Sequence, residues 1–212
     1  MVAVDATFFP YLLKRENRAP NDPATGQPIE HLEERIDLLI ETLQKEKETI
    51  IIPTPALSEF LVLARDDGPA YLKKIKKSPL FKIKTFDEKA AIELAAIRIK
   101  TENALSRKKR KKQTPAETKA KISFDRQIVV ISKVNDAHTI YTEDDGVASF
   151  AAANKIKVVR VWELEKPKSI QQKLFPKDGK PSTVAASSNV VELAEKRAEI
   201  EARDGQEAVS IK

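Results

Sequence analysis

The sequence has 212 residues, 41% hydrophobic and 33% charged, with a formal net charge of +6. Cysteine is absent, which excludes disulfides, thiolate metal sites and cysteine nucleophiles, and the two histidines, His31 and His138, are too few for a multi-histidine metal centre. Any resident metal would have to be held by oxygen, which points to magnesium or manganese; with no bilayer-length apolar run and no leader pattern, a soluble cytoplasmic protein is expected.

Val2-Ala3-Val4 is a short β-type run ending at Asp5, and residues 7–13 read as a brief helix. Residues 15–28 are rich in Asn, Pro, Asp and Gly and predict a loop. From Ile29 to Glu48 apolar residues recur at Leu32, Ile36, Leu39, Ile40 and Leu43, which is helical spacing. Ile50-Ile51-Ile52, closed by Pro53, is a buried strand, and Thr54 is a cap for a helix carrying Leu57, Phe60, Leu61 and Leu63. A break at 66–69 precedes a short helix near 70–76 and a strand at 81–85. Asp87 is the N-cap of a long helix over 88–105, with Ile92, Ala95, Ala96 and Ile99 on one face. Residues 122–134 suggest a helix, although Val129-Val130-Ile131 has equal strand propensity. A strand at 139–142, a helix at 147–154 and a strand at 157–162 follow, with Trp162 a packing residue late in that strand.

Strands alternating with helices argue for an α/β fold, a three-layer α/β/α arrangement around a central parallel sheet of about five strands. That domain spans 1–165. Residues 166–212 are polar and read as a C-terminal tail, extended or partly helical, with a weak helix over 190–203. The net charge is local. Arg107, Lys108, Lys109, Arg110, Lys111, Lys112, Lys119 and Lys121 face a single nearby acid, Glu117, and the rest of the chain is close to neutral.

In a parallel α/β sheet, ligands bind beyond the carboxyl ends of the strands where the strand order reverses. Asp5 ends the first strand, and Asp144 and Asp145 follow the fourth. Glu59 lies on the helix after the second, and Asp125 in the first turns of the helix before the fourth. Each has a plain structural reading: a cap for Asp5, a solvated helix residue for Glu59, a dipole partner for Asp125, a turn for the acidic run 143–145. Together they fit oxygen ligation of magnesium or manganese, and paired metals of this kind support phosphodiester hydrolysis. Strand alternation carried through the turn would point Glu143 away into solvent, with Asp145 a helper ligand or the cap of the next helix.

Val4-Asp5-Ala6-Thr7, Pro55-Ala56-Leu57-Ser58-Glu59-Phe60, Asp125-Arg126-Gln127-Ile128 and Tyr141-Thr142-Glu143-Asp144, with Ile156-Lys157-Val158-Val159 downstream, occur in an order that resembles PIN-domain nucleases of the kind that includes the VapC toxins. The resemblance covers roughly residues 1–162. It implies a metal-dependent endoribonuclease holding one or two divalent ions, with Asp5, Glu59, Asp125 and Asp144 as its acids and Thr142 as the hydroxyl beside the last of them. Thr7 stands where the family often has Asn or Ser. The chain departs from the pattern at Val147, where an aromatic often occurs, and at Val129-Val130-Ile131-Ser132, where the family has a small Ala-rich helix. Its long first loop, basic insertion and tail are also additions to a compact VapC-type toxin.

The run Arg107 to Lys112 has three readings: phosphate contacts with RNA, a solvated loop, or a nuclear localisation signal. The expected partners are RNA, an antitoxin or other protein, and a second copy of the chain, with no membrane. The alternative function is an inactive PIN module that binds RNA or a protein through the basic loop. A phosphotransfer domain built on Asp5 is disfavoured because no glycine-rich phosphate loop follows the first strand.

Overall fold

The computed structural model of the protein describes residues 1–13, 19–105 and 119–167. The basic run 107–112 and nearly all of the expected tail, including its helix at 190–203, lie outside the described residues. Five parallel strands form one sheet: β1 (Val2–Val4), β2 (Ile50–Pro53), β3 (Phe81–Lys84), β4 (Thr139–Tyr141) and β5 (Lys157–Val159), in the order β3-β2-β1-β4-β5. The helices are α1 (Phe9–Leu13), α2 (Leu32–Lys45), α3 (Thr54–Ala64), α4 (Gly68–Lys77), α5 (Glu88–Leu105), α6 (Lys119–Val134) and α7 (Asp145–Ala153). This is the expected three-layer α/β/α fold.

Strand alternation divides the core. Val2, Val4, Ile50, Ile52 and Tyr141 pack with Phe8, Phe9, Ile36, Ile40, Phe60 and Ile75 on one side of the sheet. Ala3, Ile51 and Ile140 pack with Ile128, Val129, Val147 and Ala151 on the other. Helix α5 stacks outside α6 through Ala90, Leu94, Val130 and Ile131. Helix α6 is therefore covered on two sides, which explains why Val129, Val130 and Ile131, all at 0% exposure, are helical despite their strand propensity.

Several local expectations are corrected. The last strand stops at Val159, and Val161–Glu163 forms a 3-10 turn in which the Arg160 backbone N–H donates to Glu163 Oε2 at 2.7 Å. Trp162 belongs to that turn, half-buried against the core with the Arg160 guanidinium over its ring. Thr54 is the first residue of α3 rather than its cap; extended Pro53 precedes it with no side-chain cap bond. Asp87 caps α5 as expected, accepting from Ala90 N at 2.9 Å. The buried face of α5 is Ala90 and Leu94, whereas Ile92 and Ile99 stay 64% and 60% exposed. Apolar residues occupy both faces of this helix, so spacing alone does not select the one that packs. Leu63 is likewise exposed, although Leu57 and Phe60 are buried.

Arg35 sits within the predicted apolar helix and is buried. Its guanidinium donates to the carbonyls of Glu30, Trp162 and Leu164, the last at 2.8 Å, fastening the segment after β5 to α2. Replacing it with Ala leaves those carbonyls without their donor, so Arg35→Ala should lose about 2–4 kcal/mol in urea unfolding. An unchanged midpoint would remove Arg35 from the account of how the C-terminal segment is held.

Candidate active site

The chain builds outward from β1 to β3 on one side, then crosses to β4 and β5 on the other. The reversal falls between β1 and β4, which pair in register as Val2↔Thr139, Ala3↔Ile140 and Val4↔Tyr141. Asp5 and Thr142, the residues that follow these strands, therefore emerge side by side, and Asp5 N donates to Tyr141 O at 3.1 Å.

Two hydroxyls join them. Thr142 Oγ1 donates to Asp5 Oδ2 at 2.6 Å and accepts from Asp144 N at 3.0 Å. Thr7 Oγ1 donates to the same Asp5 oxygen at 2.8 Å and accepts from Glu143 N at 2.9 Å. Each hydroxyl has one proton to give and lone pairs to receive, so each ties the end of β1 to the loop after β4. Asp5 Oδ1 accepts from the backbone N–H of Ala6. The carboxylate is almost wholly buried; burial pushes its pKa up, the three donors oppose this, and the charge of Asp144 adds to the rise.

Asp144 is the extended N-cap of α7. Its Oδ1 accepts from Gly146 N at 2.7 Å and Val147 N at 3.0 Å, a favourable place for an anion. Burial pushes Asp144 up, but these donors and the Lys121 ammonium outweigh it and hold the group below its usual value. Lys121 Nζ lies 2.9 Å from the other oxygen, Oδ2. Asp125, buried in α6, is pushed up to about 6, chiefly by burial and then by the charge of Asp144, with Lys121 opposing. Glu59, on α3, is also raised, first by partial desolvation of its carboxyl and then by Asp5 and Asp144, with Lys121 again opposing. Asp5, Glu59, Asp125 and Asp144, from four separate segments, thus share one electrostatic neighbourhood.

Gly146 makes the closeness possible. A Cβ there would lie 2.8 Å from Asp125 Oδ2 and 3.0 Å from Asp144 Oδ1, so both carboxylates border space that only glycine leaves open. Nothing local in the sequence marks Gly146 or Lys121 for this site, and Thr7 is marked only as the residue at a position where the family often has Asn or Ser. Beside Glu59, a cleft of about 400 Å³ is lined by Pro55, Ser58, Val62, Leu63 and Phe124. Its apolar wall was also missed.

The acidic run 143–145 resolves into three different environments. Asp144 faces the cluster. Asp145, the expected helper ligand or cap, is 98% exposed and pairs with Arg160 at 2.7 Å, while the cap is Asp144. Glu143 is half-buried rather than solvated, because its Oε1 accepts from Val161 N at 2.7 Å. His31 and His138 lie away from the cluster, with ring nitrogens 3.5 Å from Glu34 Oε1 and 3.1 Å from Glu48 Oε1.

The donor set is entirely hard oxygen, which fits magnesium or manganese. Among the described residues no three acidic or histidine side chains form a ready-made cage. Magnesium keeps several waters and is commonly bound through one or two carboxylates, so Asp5 and Asp144 with their neighbours still suit it. Among the described residues, no helix is long and apolar enough to cross a membrane. No protein-family model matches the sequence, and no curated protein matches it.

The raised Asp125 gives a pH test on metal-free protein. Its carboxyl takes up a proton near pH 6 when folded but only near 3.8 when unfolded, so ionising it disfavours the fold above pH 6, and this cost vanishes as pH falls toward 4. Asp125→Asn should therefore be more stable than the parent at pH 8 in chelator by about 1–2 kcal/mol after allowing for solvent screening, with the gap closing by pH 4. Denaturant titration across that range checks it, and a gap independent of pH would contradict the assignment.

Proposed function

We propose that this protein is a PIN-like, divalent-metal-dependent endoribonuclease. The observation that carries the reading is the shared electrostatic neighbourhood of Asp5, Glu59, Asp125 and Asp144 by the switch point of the sheet, where Asp5, Glu59 and Asp125 resist ionisation, first through burial and then through the charge of neighbouring carboxylates. Carboxylates assembled against their own repulsion are relieved by a cation, and the oxygen-only donor set favours Mg2+ or Mn2+. When bound, such an ion supplies charge neutralisation at a phosphodiester and activation of water.

The side chains of the chain divide the remaining work. Asp144 and Asp5 would hold the ion, with Asp125 and Glu59 ligating directly or through water. Thr142 and Thr7 orient Asp5 by fixing its Oδ2. Gly146 leaves room for Asp125 beside Asp144. None of these groups needs to act as a nucleophile. The basic run 107–112, in this reading, contacts RNA phosphates, which adds affinity without sequence specificity. A VapC-type toxin would add a protein partner, an antitoxin or a second copy, and the exposed apolar residues Val62, Leu63, Ile92 and Ile99 provide surface for one.

Single-turnover cleavage of mixed RNA tests the activity. The wild type should cleave with Mg2+ and stop in chelator, while Asp5→Asn and Asp144→Asn should each be slowed about 10²-fold or more. Asn caps helices as well as Asp does, so Asp144→Asn keeps its fold, which far-UV circular dichroism would verify. Metal-independent cleavage equal in all three proteins would end the proposal; RNA binding without turnover would favour an inactive binding module.

A further inference from the structure

The crevice already contains a cation. Lys121 belongs to the first turn of α6, four residues before Asp125 and on the same side of the helix. From there its ammonium reaches Asp144 Oδ2 at 2.9 Å. The other oxygen of Asp144 is committed to capping α7, so Oδ2 is the one left for an ion. The influence of Lys121 extends to Asp125 and Glu59, whose charged forms it favours. Lysine suits such a place. It is a single point charge on a flexible stem, and at 50% exposure it can withdraw into water without leaving a buried charge behind.

Resting on the metal-site reading above, we propose that Lys121 is a tethered counter-ion for the metal-free crevice, and that a divalent ion must displace it from Asp144 Oδ2 in order to bind. The acids are then partly neutralised before metal arrives, and the ion pair, half-exposed on its lysine side, is weak enough to yield. Apparent metal affinity is lowered by the fraction of molecules in which Lys121 holds the position.

Calorimetric titration of the full chain with Mn2+ at pH 7.5 tests this without reference to RNA. Lys121→Met removes the charge and keeps the stem length. It should tighten Mn2+ binding roughly three- to tenfold if the pair must break first. Lys133→Met is the control for net charge, since Lys133 lies on the same helix but pairs with Glu93 at 2.6 Å. It should leave Mn2+ affinity unchanged. Both side chains are at least a third exposed, so folding is expected to persist, and Lys121→Gln serves if Lys121→Met does not fold. Unchanged or weaker affinity in the Lys121 variant, or equal tightening in both variants, would overturn the proposal while leaving the metal site standing. Absence of Mn2+ binding by the wild type would overturn both.

Discussion

The double hydroxyl bridge onto Asp5 Oδ2 is the constraint on which the site depends. Thr7 and Thr142 donate to one oxygen and receive the backbone N–H groups of Glu143 and Asp144. Through these four bonds, the acid that ends β1 sets the path of the loop after β4. That path gives Asp144 its extended cap conformation, starts α7 and brings Gly146 against Asp125. A buried carboxylate is costly unless its oxygens are satisfied, and here the groups that satisfy it also shape the crevice.

The sheet makes this local arrangement possible. Parallel strands release their C-terminal ends along one edge, and the strand order reverses beside β1. Asp5 and Thr142 become neighbours because Val4 and Tyr141 are paired in register. Asp125 reaches the same place from α6, which is wedged between the sheet and α5, and Glu59 reaches it from the helix after β2. Each of the four acids is thus placed by a strand end or a helix rather than by a long loop.

Much of this was legible because it depends on local chemistry. Ile50-Ile51-Ile52 is a buried strand wherever it is found, and acids just beyond such strands fall at the ligand-binding edge of the sheet. What escaped depends on partners distant in the sequence. Arg35 looks like a solvated helix residue until the Trp162 and Leu164 carbonyls arrive to accept its hydrogen bonds. Alternation placed Glu143 in water, but the loop bends there and Val161 N binds it. Gly146 matters only because Asp125 approaches from another helix, and Lys121 was hidden as one charge among eight. On α5 the two apolar faces compete, and the packing of α6 decides between them.

The claim that the four acids form a divalent-ion site is tested most directly by a crystal structure of the Mn2+-soaked protein with anomalous diffraction measured for manganese. The account predicts an anomalous peak bordered by the Asp5 and Asp144 carboxylates, with Lys121 Nζ moved away from Asp144 Oδ2. A crevice without manganese at saturating concentration, with Lys121 still paired to Asp144, would contradict it.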